Sequence, residues 1–220
     1  MIALIDYGAG NVRSVYKALE AVGAEVQLAC DPPPLVEAAK IVLPGVGAFG
    51  DCMAGLRRAG LVDALRRAVE EGKPLLAICV GMQVLFEEGE EMGRHPGLGF
   101  LPGRVTRFSF PSPHPLTPSP LPKLGEGRGP CPKIPHTGWN QIEPARPSPL
   151  FDGLPPDTWV YFNHAYICLA QPEDVIATTD YGGPFPSAVA RGCVYGVQFH
   201  PEKSQEAGLC VLQNFVERVE

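Results

Sequence analysis

Residues 75–83 read LLAICVGMQ, and this stretch decides the fold. An apolar run typical of a buried strand passes through a small-x-Cys-x-Gly turn directly into a helical pattern, predicted over 82–88. Strand, tight turn and helix in this order form a nucleophile elbow, here with Cys79 in place of the usual serine. A cysteine there stands at the start of a helix, where the helix dipole favours a thiolate. The stretch therefore predicts an α/β fold with a nucleophilic cysteine at the end of a strand.

Upstream of the elbow, short apolar runs alternate with helical patterns. The predicted strands are 2–5, 25–29, 41–43 (ended by Pro44 and Gly45) and 74–78, and the predicted helices are 12–22, 35–39 and 61–69. Strands that are apolar on both faces and separated by helices indicate a parallel sheet covered on two sides. Ligands bind such sheets at the carboxyl ends of the strands, where the motifs of this chain lie.

Downstream of the elbow the pattern changes to short strands bounded by Gly and Pro. They are predicted at 105–108, 139–142, 160–166, 175–179, 187–190 and 194–199, before a closing helix over 205–219. Some of these strands are expected to pair antiparallel.

A histidine suited to act on the thiol follows in the segment VQFHPEK, residues 197–203. Histidine is the side chain whose pKa suits a general base. Residues two apart on an extended chain face the same side, so Glu202 can hold one imidazole nitrogen of His200 while the other faces Cys79. A cysteine elbow and a sequence-distant histidine together predict a nucleophilic site.

Two glycine-containing turns follow predicted strands. In LPGVGAFG, residues 43–50, the glycines let backbone N–H groups turn toward a developing oxyanion, and the N–H of Val80 is the natural second donor. In DYGAGN, residues 6–11, the third glycine and the ribose-binding acid of a dinucleotide fingerprint are missing. We therefore exclude a nicotinamide site.

Composition excludes several other classes of function. Lys and Arg number 18 against 24 Asp and Glu, so the formal net charge is -6 and no basic face for nucleic acid is evident. No apolar run approaches the length of a membrane span, and no signal-type segment opens the chain. Seven scattered cysteines indicate a reducing compartment, and the other histidines lack metal-ligand spacing with them. We expect a single-domain, soluble protein without metal or cofactor.

One segment lies outside this pattern. Nine of the 25 prolines fall between Pro111 and Pro135. A proline-rich stretch buries too little apolar surface to offset the ordering of the chain, so 111–132 is predicted to be a disordered insertion. It is either an exposed loop without a role, which we favour, or a docking motif for a partner.

These motifs resemble the class I, triad-type glutamine amidotransferases, and more closely the glutaminase subunits of imidazole glycerol phosphate synthase. Met82 stands where relatives serving anthranilate or guanylate synthesis have His, and KIPHTGWN at 133–140 also looks like that subunit. The resemblance covers nearly all of the chain except 111–132. It implies a flavodoxin-like α/β fold with a mostly parallel central sheet, helices on both faces and an added antiparallel part.

The resemblance also implies an activity, the hydrolysis of L-glutamine to glutamate and ammonia. Cys79 would attack the side-chain amide, His200 would be the base and acid, and Glu202 would orient His200. The further implied residues are Gly45, Val46, Gly47 and Val80 for the oxyanion, Gln83, Ala165 and Tyr166 for glutamine, and Asn11, Arg13, Trp139 and Lys203 for a partner. Ala77, Thr137 and the segment NHAYI at 163–167 depart from the usual family pattern.

The implied partner is a (β/α)₈-barrel cyclase subunit in a cytoplasmic heterodimer. It would use the ammonia to make imidazole glycerol phosphate and an aminoimidazole carboxamide ribotide in histidine biosynthesis. Two alternatives stay open at this stage: a glutaminase subunit for another acceptor synthase, and a non-catalytic regulatory module that keeps the scaffold.

Overall fold

A computed structural model describes residues 1–8, 11–110 and 132–219. Residues 9 and 10 of the turn at 6–11 lie outside the described residues. The same holds for the predicted insertion, of which Pro132 alone is described.

The secondary structure alternates between helices and strands in the first third of the chain and is mostly strands afterwards. The strands are β1 (Ile2–Ile5), β2 (Val26–Ala29), β3 (Lys40–Gly45), β4 (Leu75–Cys79), β5 (Phe86–Gly89), β6 (His95–Pro96), β7 (Leu101–Arg107), β8 (His136–Gln141), β9 (Glu143–Pro144), β10 (Trp159–His164), β11 (Tyr166–Ala170), β12 (Val175–Asp180), β13 (Pro184–Arg191) and β14 (Val194–Val197). The α-helices are α1 (Val12–Ala21), α2 (Pro33–Glu37), α3 (Phe49–Arg58), α4 (Leu61–Glu70), α5 (Val80–Gln83) and α6 (Gln205–Arg218).

An eight-stranded sheet forms the centre, in the order β2-β1-β3-β4-β14-β13-β12-β9. Its first five strands are parallel in the flavodoxin-like order, and its last three extend it antiparallel. All residues of β1 and β4 are buried, as two covered faces require, whereas Gln27 and Leu28 on the edge strand β2 are exposed. The predicted fold class is confirmed.

The helices lie on both faces because β–α–β crossovers are right-handed. The chain moves outward from β1 to β2 and then back past β1 to β3 and β4, so α1 lies on one face and α2 to α4 on the other. Contacts agree, since α1 packs against α6, and α4 packs against both α2 and α3. Within the described ranges, no helix is long and apolar enough to cross a membrane.

Two smaller sheets close over the carboxyl ends of the central strands. One pairs β8 with β10, and the other has the order β11-β7-β5-β6. The single strand predicted over 160–166 is wrong, because the chain leaves β10 at His164 and enters β11 at Tyr166. β10 pairs with β8 in one small sheet and β11 pairs with β7 in the other, and Ala165 links the two strands.

The helix predicted over 82–88 is also wrong. The structure has only the short α5, followed by β5, which pairs with β7. The carbonyls of Val84 and Leu85, which a longer helix would use, accept hydrogen bonds from Leu98 and Phe100 instead. Tertiary pairing therefore overrides the local helical pattern.

Two further differences concern the segment before α4. β3 does not stop before Pro44 but runs to Gly45, because β1 pairs with it only as far as Val42 and the last residues face β4 alone. The missing N–H of Pro44 is tolerated at such a one-sided strand end. No helix was predicted from the sequence at α3, whose buried face includes Phe49, Met53 and Leu56.

Candidate active site

The nucleophile elbow, residues 77–83, has the geometry that its sequence predicts. Cys79 ends β4 with φ = 56° and ψ = -112°, a left-handed conformation that costs energy for any residue with a side chain. A Cβ at Gly81 would collide with the carbonyl oxygen of Leu43, and a Cβ at Gly45 would collide with the backbone nitrogen of Gly81. The glycines are therefore required because β3 and the elbow touch backbone to backbone.

The sulfur of Cys79 is nearly covered but borders a cavity. The residue is 3% exposed, and its Sγ lies 3.7 Å from Nε2 of Gln198 and 4.0 Å from the carbonyl oxygen of Asn163. The side chain of His200 also lies close enough to the sulfur for the two to interact electrostatically. These three contacts hold the sulfur between β4, β10 and the segment that follows β14.

That segment, residues 198–204, is called the histidine arm below. Nδ1 of His200 lies 2.9 Å from Oε1 of Glu202, and both side chains are buried. Burial alone would lower the pKa of His200, but hydrogen bonds and negative charge from Cys79 and Glu202 raise it to about 10. Burial alone would raise the pKa of Glu202, but the hydrogen bond and charge of His200, together with Asn11, lower it. The arrangement favours a cationic imidazole beside the carboxylate of Glu202.

Hydrogen bonds from distant parts of the chain fix the histidine arm. The backbone N–H of His200 donates to the carbonyl of Tyr161 at 2.8 Å. The hydroxyl of Ser204 accepts from the N–H of Tyr161 at 2.9 Å and donates to the carbonyl of His200 at 2.7 Å. The side-chain amide of Asn11 donates to Oε1 of Glu202 at 3.1 Å.

A cavity of about 270 Å³ opens beside the sulfur. Cys79 and His200 line it together with residues from the β3–α3 loop, the elbow and the β10–β11 link. Its charged lining residues besides His200 are Glu91 and Lys203. Opposite charges at its wall suit a small zwitterion.

Comparison with known proteins agrees with this geometry. The sequence model of the family "Glutamine amidotransferase class-I" matches residues 3–219. The chain is 48% identical to the imidazole glycerol phosphate synthase subunit HisH of Syntrophotalea carbinolica, over 98% of both chains. It is also 48% identical to that of Salinibacter ruber, over 98% of this chain and 93% of the relative.

The chain belongs to the class-I glutamine amidotransferases, among the HisH subunits. It is therefore an enzyme. The fold is also that of PurLQS from Thermotoga maritima, with a TM-score of 0.72 at 19% identity over 100% of this chain and 98% of that one.

Most of the residues that the sequence assigned to the amidotransferase site lie around this cavity. Those that line it are Cys79, His200, Val46, Gly47, Val80, Gln83, Ala165 and Tyr166. Glu202 lies behind His200, and Gly45 is buried at the end of β3, paired with Cys79. Gly47 has φ = 92°, a backbone conformation that glycine adopts without strain.

The four residues predicted to face a partner are more scattered. Asn11 bonds to Glu202, and Lys203 lines the cavity with Nζ 5.7 Å from the ring centroid of Tyr161. Trp139 is 44% exposed and lies edge-on to Tyr161 across the β8–β10 pair, whereas Arg13 is exposed on α1.

Two further histidines form a buried pair beside the cavity. Nδ1 of His164 donates to the carbonyl of Tyr166 at 2.8 Å, so its Nε2 is the acceptor for Nδ1 of His136 at 3.2 Å. Nε2 of His136 then accepts from the side-chain amide of Asn140 at 3.4 Å. Burial lowers the pKa of His164 to about 3 and that of His136 to about 4. This pair is neutral, in contrast to His200.

Three contacts of the amidotransferase site were not predicted from the sequence. Gln198 touches the sulfur, Asn11 bonds to Glu202, and Glu91 lines the cavity while accepting from the N–H of Phe49 at 2.8 Å. The two-residue spacing that placed Glu202 beside His200 also applies to Gln198, so that contact carried a sequence signal. The contacts of Asn11 and Glu91 carried none, because they join elements far apart in the chain.

Proposed function

We propose that this chain hydrolyses L-glutamine to glutamate and ammonia, with Cys79 as nucleophile and His200 and Glu202 as its partners. The observation that carries the proposal is the meeting of a strained cysteine elbow with a buried His–Glu pair in one cavity. A nucleophile, a base that contacts it and a carboxylate that orients the base are the parts that acyl transfer requires.

In the reactive form the proton of the Cys79 thiol lies on His200, whose raised pKa favours the cation. The sulfur then attacks the side-chain amide carbon of glutamine, and His200 gives its proton to the amide nitrogen, which leaves as ammonia. Water hydrolyses the resulting thioester, with His200 now acting as base. Glu202 keeps the imidazole in position and stabilises its cation.

Backbone groups stabilise the oxyanion of each tetrahedral intermediate. The N–H of Val80 follows the nucleophile directly, as in other elbows, and residues 45–47 supply the second donor. Both segments border the sulfur, Val80 within α5 and Val46 and Gly47 in the loop after β3. One such donor contributes about 3 kcal/mol in the transition state.

Glutamine is bound through complementary charges and backbone groups. Glu91 supplies a carboxylate for the α-ammonium group at the cavity wall. Gln83 uses both amide hydrogens within the protein, donating to Gln198 at 3.1 Å and to the carbonyl of Tyr166 at 3.3 Å. It therefore offers the substrate its oxygen as an acceptor. Ala165 and Tyr166 contact the substrate mainly through their backbone.

The ammonia passes to a (β/α)₈-barrel cyclase subunit, which forms imidazole glycerol phosphate and an aminoimidazole carboxamide ribotide in histidine biosynthesis. The HisH names of the relatives support this partner. Asn11, Arg13, Trp139 and Lys203 form the contact surface. We place the heterodimer in the cytoplasm, since the six cysteines that the structure describes are all free.

Substitution of the nucleophile tests the activity. Cys79→Ala should abolish glutamate release, both alone and with the cyclase subunit and its nucleotide ligand. The variant should still bind the cyclase, and cyclisation should continue when ammonium is supplied directly. The matched control is Cys30→Ala, because Cys30 is an exposed free cysteine. Undiminished glutaminase activity in Cys79→Ala would refute the proposal.

A further inference from the structure

We propose that Gln198 is a catalytic residue, whose side-chain amide donates a hydrogen bond to the thiolate of Cys79. The inference rests on the proposed role of Cys79 as nucleophile. It goes beyond the three-residue triad, because it adds a neutral donor to the ionic partner that His200 provides.

The position of Gln198 supports this role. Gln198 is fully buried between the end of β14 and His200, and its backbone N–H donates to the carbonyl of Ser187 at 2.9 Å. Its Nε2 lies 3.7 Å from Sγ of Cys79, within the range for a hydrogen bond to sulfur. A buried amide that loses its partner costs free energy, so this contact is part of what keeps the side chain in place.

The orientation of the Gln198 amide also supports this role. Oε1 of Gln198 accepts from Nε2 of Gln83 at 3.1 Å, and that same nitrogen also donates to the carbonyl of Tyr166. If the amide of Gln198 were turned over, its NH₂ group would face the NH₂ group of Gln83. Gln83 therefore fixes which end of Gln198 meets the sulfur, and that end is a donor.

A donor at this place also suits the chemistry of the thiolate. The thiol proton goes to His200, and Gln198 transfers no proton at any step. Its N–H stabilises negative charge on the sulfur before attack and again when the sulfur leaves the thioester. A hydrogen bond to a charged group is stronger than one between neutral groups, so the contact is strongest in the thiolate form.

The test is alkylation of Cys79 in the free chain by iodoacetamide, followed over pH by mass spectrometry of the peptide that carries Cys79. Gln198→Met keeps the length but removes the donor, and Gln198→Glu keeps the shape but presents acceptors only. We expect alkylation at pH 7 to slow about fivefold in Gln198→Met and more in Gln198→Glu. The pH of half-maximal rate should rise in both variants.

Ser187→Ala is the matched control, because Ser187 is also buried in this sheet and its hydroxyl has no partner among the described residues. Its alkylation profile should equal that of the unchanged chain. Gln83→Leu, which releases the amide of Gln198 without touching the sulfur, should slow alkylation less than Gln198→Met. If the Gln198 variants fail to fold, Gln83→Leu tests the inference in their place.

The inference would be overturned by an unchanged alkylation rate and pH profile in folded Gln198→Met. If the Gln198 variants do not fold, the same result in Gln83→Leu would overturn it. The assay needs no glutamine, so its outcome is independent of the proposed function. If Cys79→Ala kept its glutaminase activity while Gln198→Met slowed alkylation, the proposed function would fail and the contact between Gln198 and Cys79 would stand.

Discussion

The elbow that carries Cys79 and the histidine arm that carries His200 and Glu202 meet at one cavity, but different forces hold them. The elbow depends on missing side chains, since Gly45 and Gly81 let two backbones touch and allow the strained turn at Cys79. The arm depends on polar side chains that are present, namely Ser204, which bridges it to β10, and Asn11, which donates to Glu202.

This difference determines how each part responds to change. An added methyl group in the elbow meets backbone atoms that cannot move away, so the damage extends into the core. A lost hydrogen bond in the arm leaves the packing intact and changes the position or charge of one side chain. We therefore expect elbow variants to lose stability and activity together. Arm variants should lose mainly activity, or change how stability depends on pH.

The largest effect is expected for Gly81→Ala. Its Cβ would collide with the carbonyl oxygen of Leu43, so the variant should lose at least about 3 kcal/mol of unfolding free energy. Glutaminase activity should disappear with it. Urea unfolding followed by circular dichroism measures the first quantity, and glutamate release measures the second.

The control for that variant is Gly72→Ala. Gly72 has φ = 82°, but a Cβ there would meet nothing within 4 Å. Only backbone strain is added, at about 1 to 2 kcal/mol, and activity should persist. If the two variants lost equal stability, close backbone packing would not be what distinguishes the elbow.

The second prediction concerns the charge pair of the arm. The folded pKa of His200 is raised to about 10, above the ordinary value of about 6.5. The folded state therefore binds more protons than the unfolded state between these values, and stability falls as pH rises through that window. Together with Cys79, Glu202 holds the proton on His200, so the stability of Glu202→Gln should fall less steeply as pH rises.

Urea unfolding of both proteins at intervals from pH 6 to 10 checks this. The difference in unfolding free energy between the unchanged chain and Glu202→Gln should shrink as pH rises. Parallel curves would mean that the pair does not stabilise the arm.

On the acid side, stability should fall below pH 6.5, because the folded pKa values of His164 and His136 are lowered to about 3 and 4.

The smallest effect is expected for Asn11→Ala. This change removes one of the two hydrogen bonds to Oε1 of Glu202, so kcat of the free chain should fall about three- to tenfold. Helix α1 should be little affected, because the side chain of Asn11 makes no capping hydrogen bond.

Lys17→Ala, an exposed change on the same helix, is the matched control and should leave kcat unchanged. Equal kcat values for the two variants in the absence of the cyclase would indicate that Asn11 acts only at the partner surface, as the sequence analysis assigned it.

The regular elements that the sequence predicted correctly were those with strong local patterns. The buried strands β1 and β4, the helices α1 and α4 and the parallel sheet follow from apolar runs and helical spacing. The missed α3 contains two glycines, which weaken a helical pattern even though Phe49, Met53 and Leu56 repeat at helical spacing. β5 was mistaken for helix because its pairing with β7 is not local.

The sequence by itself determined the parallel sheet, the position of the elbow and the presence of a His–Glu pair. The elbow and the pair follow from residues within about ten positions of one another, through backbone sterics and alternating side chains, and the sheet follows from local apolar runs separated by helical patterns. Only the tertiary structure decided that Asn11 meets Glu202, that Gln198 meets Cys79 and that His164 is neutral while His200 is cationic. Those outcomes depend on burial and on charges from separate strands, which exist only once the chain has folded.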